Sequence, residues 1–313
     1  MPGMRMFTML LLGFQGAVAA PLPPSKPYGA MSEAAMSRSL AAVRKAPLRR
    51  RVEIISAGFL GTPYKLHPLG EGPGARFDRA PLRDFGAVDC TTFVEQTMAL
   101  AIAPRLPAAL KILRQIRYRN GKAHYAARNH FPEADWIPNN IRAGFLIDVT
   151  ATVAGAGTKT APKLISKRRW YAEKTEQDLH GFEKAPPADL EAKLAALKAL
   201  GRGLPDEAVR LSYLPTDRFA SLESRIPSGT IASLVREDAP GAPTLITHQG
   251  FLIRKDGRLY FRHASERLGR VVDEPAAAYF VRYARSRRKL LGINLLEVAG
   301  GPSLRLSSDT VHP

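Results

Sequence analysis

One cysteine occurs in the 313 residues. Cys90 stands where a loop-like run, Asp84-Phe85-Gly86-Ala87-Val88-Asp89, gives way to helix-compatible residues from Thr91 onward. A thiol attacks as thiolate, and an ordinary cysteine titrates near pH ~8.5. The first turn of a helix carries partial positive charge and unpaired N–H groups, so this position predicts a lowered thiol pKa and donors for a developing oxyanion. The other reading of a lone cysteine is a small buried apolar residue.

A thiolate nucleophile needs a base, usually histidine. Of the seven histidines, His312 lies near the C-terminus, and His67, His124, His130 and His180 fall in loop-like or undecided stretches. His248 and His263 fall on two strand candidates, Thr244–Arg254 and Arg258–Ala264, joined by Asp256-Gly257, a two-residue hairpin signal. If Lys255 pairs with Arg258, His248 lies opposite Ser265 and His263 opposite Gly250. Both rings then share a face as diagonal neighbours, roughly 7 Å apart or less at Cβ. That is a base with an orienting partner, as in a Cys-His-polar triad. Two unrelated strand histidines are the plain alternative; combined with a helix-start cysteine, the pattern favours catalysis.

The elements that must position these groups are legible in part. Helical spacing covers Glu33–Lys45, Leu48–Phe59, Cys90–Ile102, a run after Pro107 that stops at Arg119-Asn120-Gly121, and Pro187–Gly201. Gly61–Gly74 is loop. Strand candidates are Thr230–Arg236, the two hairpin strands, Gly269–Val272 and a last one near Ile293–Val298, with a short helix at Pro275–Ala284. Helices first and strands later predict an α+β domain over residues 47–300. Residues 122–224 read as a large insertion between the Cys90 helix and the sheet.

Arg5, the apolar run Met6–Phe14 and the small residues Ala17–Ala20 predict a cleaved leader over residues 1–19, hence a periplasmic or secreted protein. Residues 20–46 read as linker and helix, and 301–313 as a tail. A formal charge of +18 would suit nucleic acid, but no zinc finger, RNA-binding motif or P-loop accompanies it. For an exported chain it fits peripheral contact with anionic envelope surfaces, and no obligate protein partner is evident.

The stretches "GTPY" (Gly61–Tyr64), "VDCTTFVE" (Val88–Glu95), "ITHQGFLI" (Ile246–Ile253) and "RHAS" (Arg262–Ser265) together give the chain a family likeness. It resembles the NlpC-type, papain-like cysteine peptidases of bacterial cell walls. Thr91-Thr92 replaces the usual Ser-Gly pair after the cysteine. With the long Cys-to-His gap and "HFPEADWIPNN", this looks like the N-acetylmuramoyl-L-alanine amidase-like branch. The resemblance implies a papain-like fold, Cys90 as nucleophile, His248 as base and His263 as orienting residue. Tyr64, Asp89 and Thr91 would flank the reacting centre; in peptidase relatives the residue at the Asp89 position helps bind a stem-peptide amine. Trp136, Asn139 and Asn140 would belong to an enlarged substrate site, Trp136 being equally readable as core and Asn139-Asn140 as a turn. Asp148 either faces the site or caps a loop. His130 and Glu133 have spacing for two metal ligands but no third, so neither a metal nor another cofactor is expected. The implied substrates are peptidoglycan fragments, cut at the muramyl–L-alanine amide. A γ-D-glutamyl-diamino acid endopeptidase and a non-catalytic wall-binding protein are the alternatives.

Overall fold

A computed structural model describes residues 23–24 and 26–301, so the leader expected at 1–19 and most of the tail lie outside the described residues. The first helices are α1 (Glu33–Val43), α2 (Leu48–Ala57), α3 (Cys90–Ile102) and α4 (Leu106–Arg117). Then come α5 (Ile137–Arg142), β1 (Leu146–Asp148), α6 (Thr150–Ala154), β2 (Lys159–Ile165), α7 (Lys167–Ala172), α8 (Pro187–Ala199), β3 (Glu207–Pro215) and α9 (Phe219–Leu222). The described residues end in β4 (Thr230–Arg236), β5 (Ile246–Lys255), β6 (Arg258–Ser265), β7 (Arg270–Pro275), α10 (Ala276–Ala284) and β8 (Leu290–Val298).

All strands belong to one antiparallel, eight-stranded sheet of order β2-β3-β8-β4-β5-β6-β7, with β1 also paired to β8. Apolar side chains alternate across it. Ile231, Phe251, Ile253, Ala264 and Leu296 pack with α1–α4 on one face. Ala232, Leu252, Phe261, Ile293 and Leu295 pack with α6, α9 and α10 on the other. Strand β4 is therefore buried on both sides and reads as a continuous apolar run.

The α+β expectation describes this architecture, with helices covering both faces of the sheet. Residues 122–224 are not a body apart from it, because they supply β1, β2 and β3, and two of these pair with β8. Sequence reading missed β2 and β3 because their alternate residues are exposed and carry few apolar groups. The run Gly144–Val153, which alternates like a strand, yields only the three residues of β1. There Asp148 Oδ1 accepts a hydrogen bond of 2.8 Å from the Thr150 N–H and turns the chain into α6.

Helix α3 is held on the sheet by aromatic edges. Phe93 meets Phe251 at 5.5 Å between ring centres and Phe59 at 5.6 Å, both near perpendicular. Such contacts add about 0.5–1.5 kcal/mol each beyond area burial. Arg262 ties β6 to its neighbours, with two bonds to Asp273 of β7 and one to Ser56 of α2.

Candidate active site

Asp89 begins α3. Its Oδ1 accepts from the Thr92 N–H at 2.7 Å, and the Thr92 hydroxyl accepts from the Asp89 N–H at 2.9 Å, a reciprocal cap. Cys90 is therefore the first helical residue, where its N–H has no carbonyl one turn earlier to bond. Asp89 Oδ2 accepts from the backbone N–H of His67 at 3.2 Å. His67 adopts φ +51, a left-handed conformation that a non-glycine residue holds only when its surroundings impose it.

Two effects act on the thiol in opposite directions. Burial, followed by the Asp89 carboxylate, pushes the Cys90 thiol up to about 12, while backbone N–H groups of Gln249 and Thr91 favour the thiolate. Burial and Asp89 thus oppose the lowering expected at a helix start. The N-terminal dipole is worth a fraction of a charge, whereas removing the thiolate from water next to a carboxylate costs more.

The histidines lie on the hairpin. Lys255 pairs with Arg258, and the ladder continues to Phe251–Arg262. Asp256 and Gly257 both have positive φ, as a two-residue hairpin turn requires. Beyond the ladder the two rings meet directly: His248 Nε2 lies 2.7 Å from His263 Nδ1. Gly250 allows this approach, since a Cβ there would sit 2.8 Å from the Cβ of His263. On its other side β5 is bulged. Leu234 pairs with His248 but Val235 with Ile246, so Thr247 is the extra residue, and the bulge re-aims the strand next to His248.

Phe261 stacks on the His263 ring at 4.7 Å, and Tyr279 of α10 meets its edge. His263 Nε2 lies 3.2 Å from Glu274 Oε1. Burial pulls His248 down to about 3, helped by His263 and Arg236. It pulls His263 down to about 4 against the opposing pull of Glu274. At neutral pH the site therefore holds an uncharged thiol and uncharged imidazoles.

Tyr64, Asp89, Cys90, Thr91, His248 and Gln249 line one cleft of about 570 Å³. Thr91 Oγ1 lies 3.9 Å from Cys90 Sγ. A bridge to Val88 fixes Tyr64 beside the start of α3. Burial and the nearby Cys90 keep its phenol protonated, so its O–H is a donor.

A family model described as AmiA-like, N-acetylmuramoyl-L-alanine amidase-like, matches residues 54–288. The chain belongs to the AmiA-like family. A crystal structure from Legionella pneumophila, of a protein assigned to the DUF1460 family, is 32% identical with a TM-score of 0.80, over 85% of this chain and 94% of that one. A crystal structure of an N-acetylmuramoyl-L-alanine amidase from Bacteroides uniformis is 26% identical with a TM-score of 0.59, over 79% of this chain and 98% of that one. A structure described as a putative xylanase from Bacteroides fragilis is 29% identical with a TM-score of 0.56, over 78% and 99%. No curated protein matches.

Three residues named as substrate contacts lie elsewhere in this AmiA-like chain. Trp136 is 1% exposed, ends a π-helical turn (Pro132–Trp136), and its indole N–H donates to Glu95 Oε1 at 3.0 Å. Arg117 donates to the other oxygen of Glu95 at 2.7 Å. Trp136 is thus core that braces α3 from behind. Asn140 is buried and donates to the carbonyls of Ile116 and Trp136. Asn139 bonds Asn129 and Arg142 and lines a separate surface hollow. Asp148 bonds Thr150 and Asn294 and caps the turn after β1.

His130 and Glu133 are also engaged by the fold. His130 Nε2 lies 2.8 Å from the Tyr125 carbonyl, and Glu133 accepts from the N–H of Leu245, the residue before β5. Among the described residues no group of three or more His, Cys, Asp or Glu is placed to hold a metal ion.

The reading also missed residues. The same AmiA-like cleft is also lined by His67, Asp78, Arg128, Trp170, Lys174, Asp178 and His180. His180 Nδ1 is 3.2 Å from Asp78 Oδ1, Arg128 donates to Asp78 and Glu71, and Lys174 lies over Trp170 while bonded to Asp178. They are scattered over more than a hundred positions, so no spacing rule links them. Glu274 was missed because the strand reading stopped at Val272, whereas β7 runs to Pro275.

Proposed function

We propose that this chain is a papain-like, NlpC-type cysteine hydrolase that cleaves the amide between N-acetylmuramic acid and L-alanine in peptidoglycan fragments. The observation that carries the reading is one cleft lined by a helix-start cysteine and a histidine whose Nε2 is engaged by a second histidine. Membership of the AmiA-like family supplies the bond.

In the proposed reaction His248 Nδ1 takes the thiol proton as Cys90 Sγ attacks the lactyl carbonyl carbon. The tetrahedral oxyanion receives hydrogen bonds from the Cys90 N–H and the Tyr64 hydroxyl. The C–N bond breaks, and the alanine amine leaves with the proton returned by His248. Water then gives His248 a proton and adds to the thioester; the muramic acid carboxyl is released and the thiol restored. Because the resting groups are neutral, the proton moves during attack rather than before it. Export through a leader at residues 1–19, and action on the 1,6-anhydro form of the sugar, belong to the same proposal.

Asp89 bears on the choice between amidase and endopeptidase. Oδ1 is taken by Thr92 and Oδ2 by His67, and the residue is 7% exposed. A carboxylate so engaged is poorly placed to read the free amine of a stem peptide. Mass spectrometry of a defined disaccharide-peptide after incubation tests the proposal. Free disaccharide with an intact stem peptide, absent with Cys90→Ala, is expected; a shortened stem peptide refutes the assigned bond.

A further inference from the structure

We infer that Glu274 is a positioning residue that sets the tautomer of both histidines and leaves His248 Nδ1 bare. Its two oxygens have separate partners. Oε1 faces His263 Nε2 at 3.2 Å; Oε2 is held by Arg282 of α10 at 2.9 Å and by Arg267 at 3.3 Å. Although burial opposes ionisation, Arg282 and His263 hold the carboxyl below its ordinary value, so it is a carboxylate at neutral pH.

An ionised carboxylate only accepts hydrogen bonds. His263 must therefore carry its proton on Nε2 to meet Glu274. A neutral imidazole has a single N–H, so His263 Nδ1 is bare and accepts. Across the 2.7 Å contact His248 must then donate from Nε2. Its one proton is thereby placed, and Nδ1 keeps its lone pair. Of these three groups only Glu274 has no tautomer of its own, so it sets the order of the other two. The aromatic walls of Phe261 and Tyr279 keep the His263 ring from turning out of this line. The other charged groups around it are Asp273 on β7, Arg267 after β6, Arg282 on α10, and Arg236 on β4 beside His248.

The experiment is a long-range proton–nitrogen NMR spectrum of the imidazoles in the 15N-labelled full chain at neutral pH. In the wild type both His248 and His263 are expected to be protonated on Nε2. In Glu274→Gln the arginines, as donors, hold the amide oxygen, and the amide NH2 faces His263. His263 Nε2 must then accept, so both rings switch to the Nδ1–H form. Turnover falls on the order of 100-fold with KM unchanged, the size of a lost general base. A wild-type His263 protonated on Nδ1 overturns the inference without any variant, as does a Glu274→Gln protein with unchanged tautomers and turnover. The rate effect rests on the hydrolase proposal, but the spectrum does not. Expected tautomers in a chain that cleaves no muropeptide would support Glu274 and refute the proposed function.

Discussion

The Cys90 thiol and the two imidazoles beside it are uncharged, whereas around Asp78 and His180 in the same cleft nearly every charge is met by an opposite one. The thiol is pushed up and the imidazoles down by burial. In the same cleft, Asp78 lies between Arg128 and His180, and Lys174 is bonded to Asp178. The difference separates two tasks. In the proposed mechanism the thiol and imidazole rest uncharged, and the thiolate–imidazolium pair forms only as the substrate is attacked. A wall that must keep its shape is better made of fixed, mutually satisfied charges.

That contrast predicts which substitutions act on rate and which on stability. The largest effect belongs to the reacting groups. His248→Ala should reduce turnover by roughly 10⁴-fold, as for removal of a triad member, with little change in melting temperature. Parallel rate and thermal-unfolding measurements check this, and a strongly destabilised His248→Ala would blur the two tasks.

Next comes the brace behind α3. Burial pushes the Glu95 carboxyl up and pulls the Arg117 guanidinium down, but Glu95 holds Arg117 above its ordinary value, so each desolvated partner depends on the other. Breaking it with Arg117→Ala leaves Glu95 buried without its partner and should cost about 3–5 kcal/mol, read by urea unfolding.

The two clusters should also part in acid. Burial pulls the Asp78 carboxyl up, but His180 and Arg128 outweigh it and hold it at about 2, below the ordinary 3.8. A carboxyl held low stabilises the fold only when ionised. Its contribution, about 2 kcal/mol, is complete above pH 3.8 and is lost as pH falls to about 2. The histidines of the proposed mechanism take protons between about 4 and 3, so kcat/KM should hold through pH 6 and fall only near pH 4 and below. Stability and rate profiles in the same buffers test both; a rate limb near pH 6 would contradict the neutral pair. The smallest effect is expected for Trp136→Phe, which removes one buried donor to Glu95 at about 1–3 kcal/mol without altering KM.

What was legible in the sequence follows the range of the forces involved. The α3 start was readable because Asp89, Cys90 and Thr92 are neighbours in the chain. The hairpin register was readable because Asp256-Gly257 fixes it locally. Failures lie where tertiary contacts decide. The thiol shift depends on burial, which overrides the local dipole. The family resemblance implies Trp136 and Asn140 at an enlarged substrate site, with core and turn as equal alternatives, and Glu95 and the Ile116 carbonyl, distant in sequence, claim both for the core. Strands β2 and β3 carry too little apolar alternation to be seen until they pair.

The most direct measurement is the intact mass of the protein, acid-quenched during turnover of a disaccharide-peptide, with the adduct mapped by proteolysis. A thioester on Cys90 carrying the sugar's lactyl group and no peptide is expected. A peptide-bearing adduct, or turnover by Cys90→Ala with none on any residue, would contradict it.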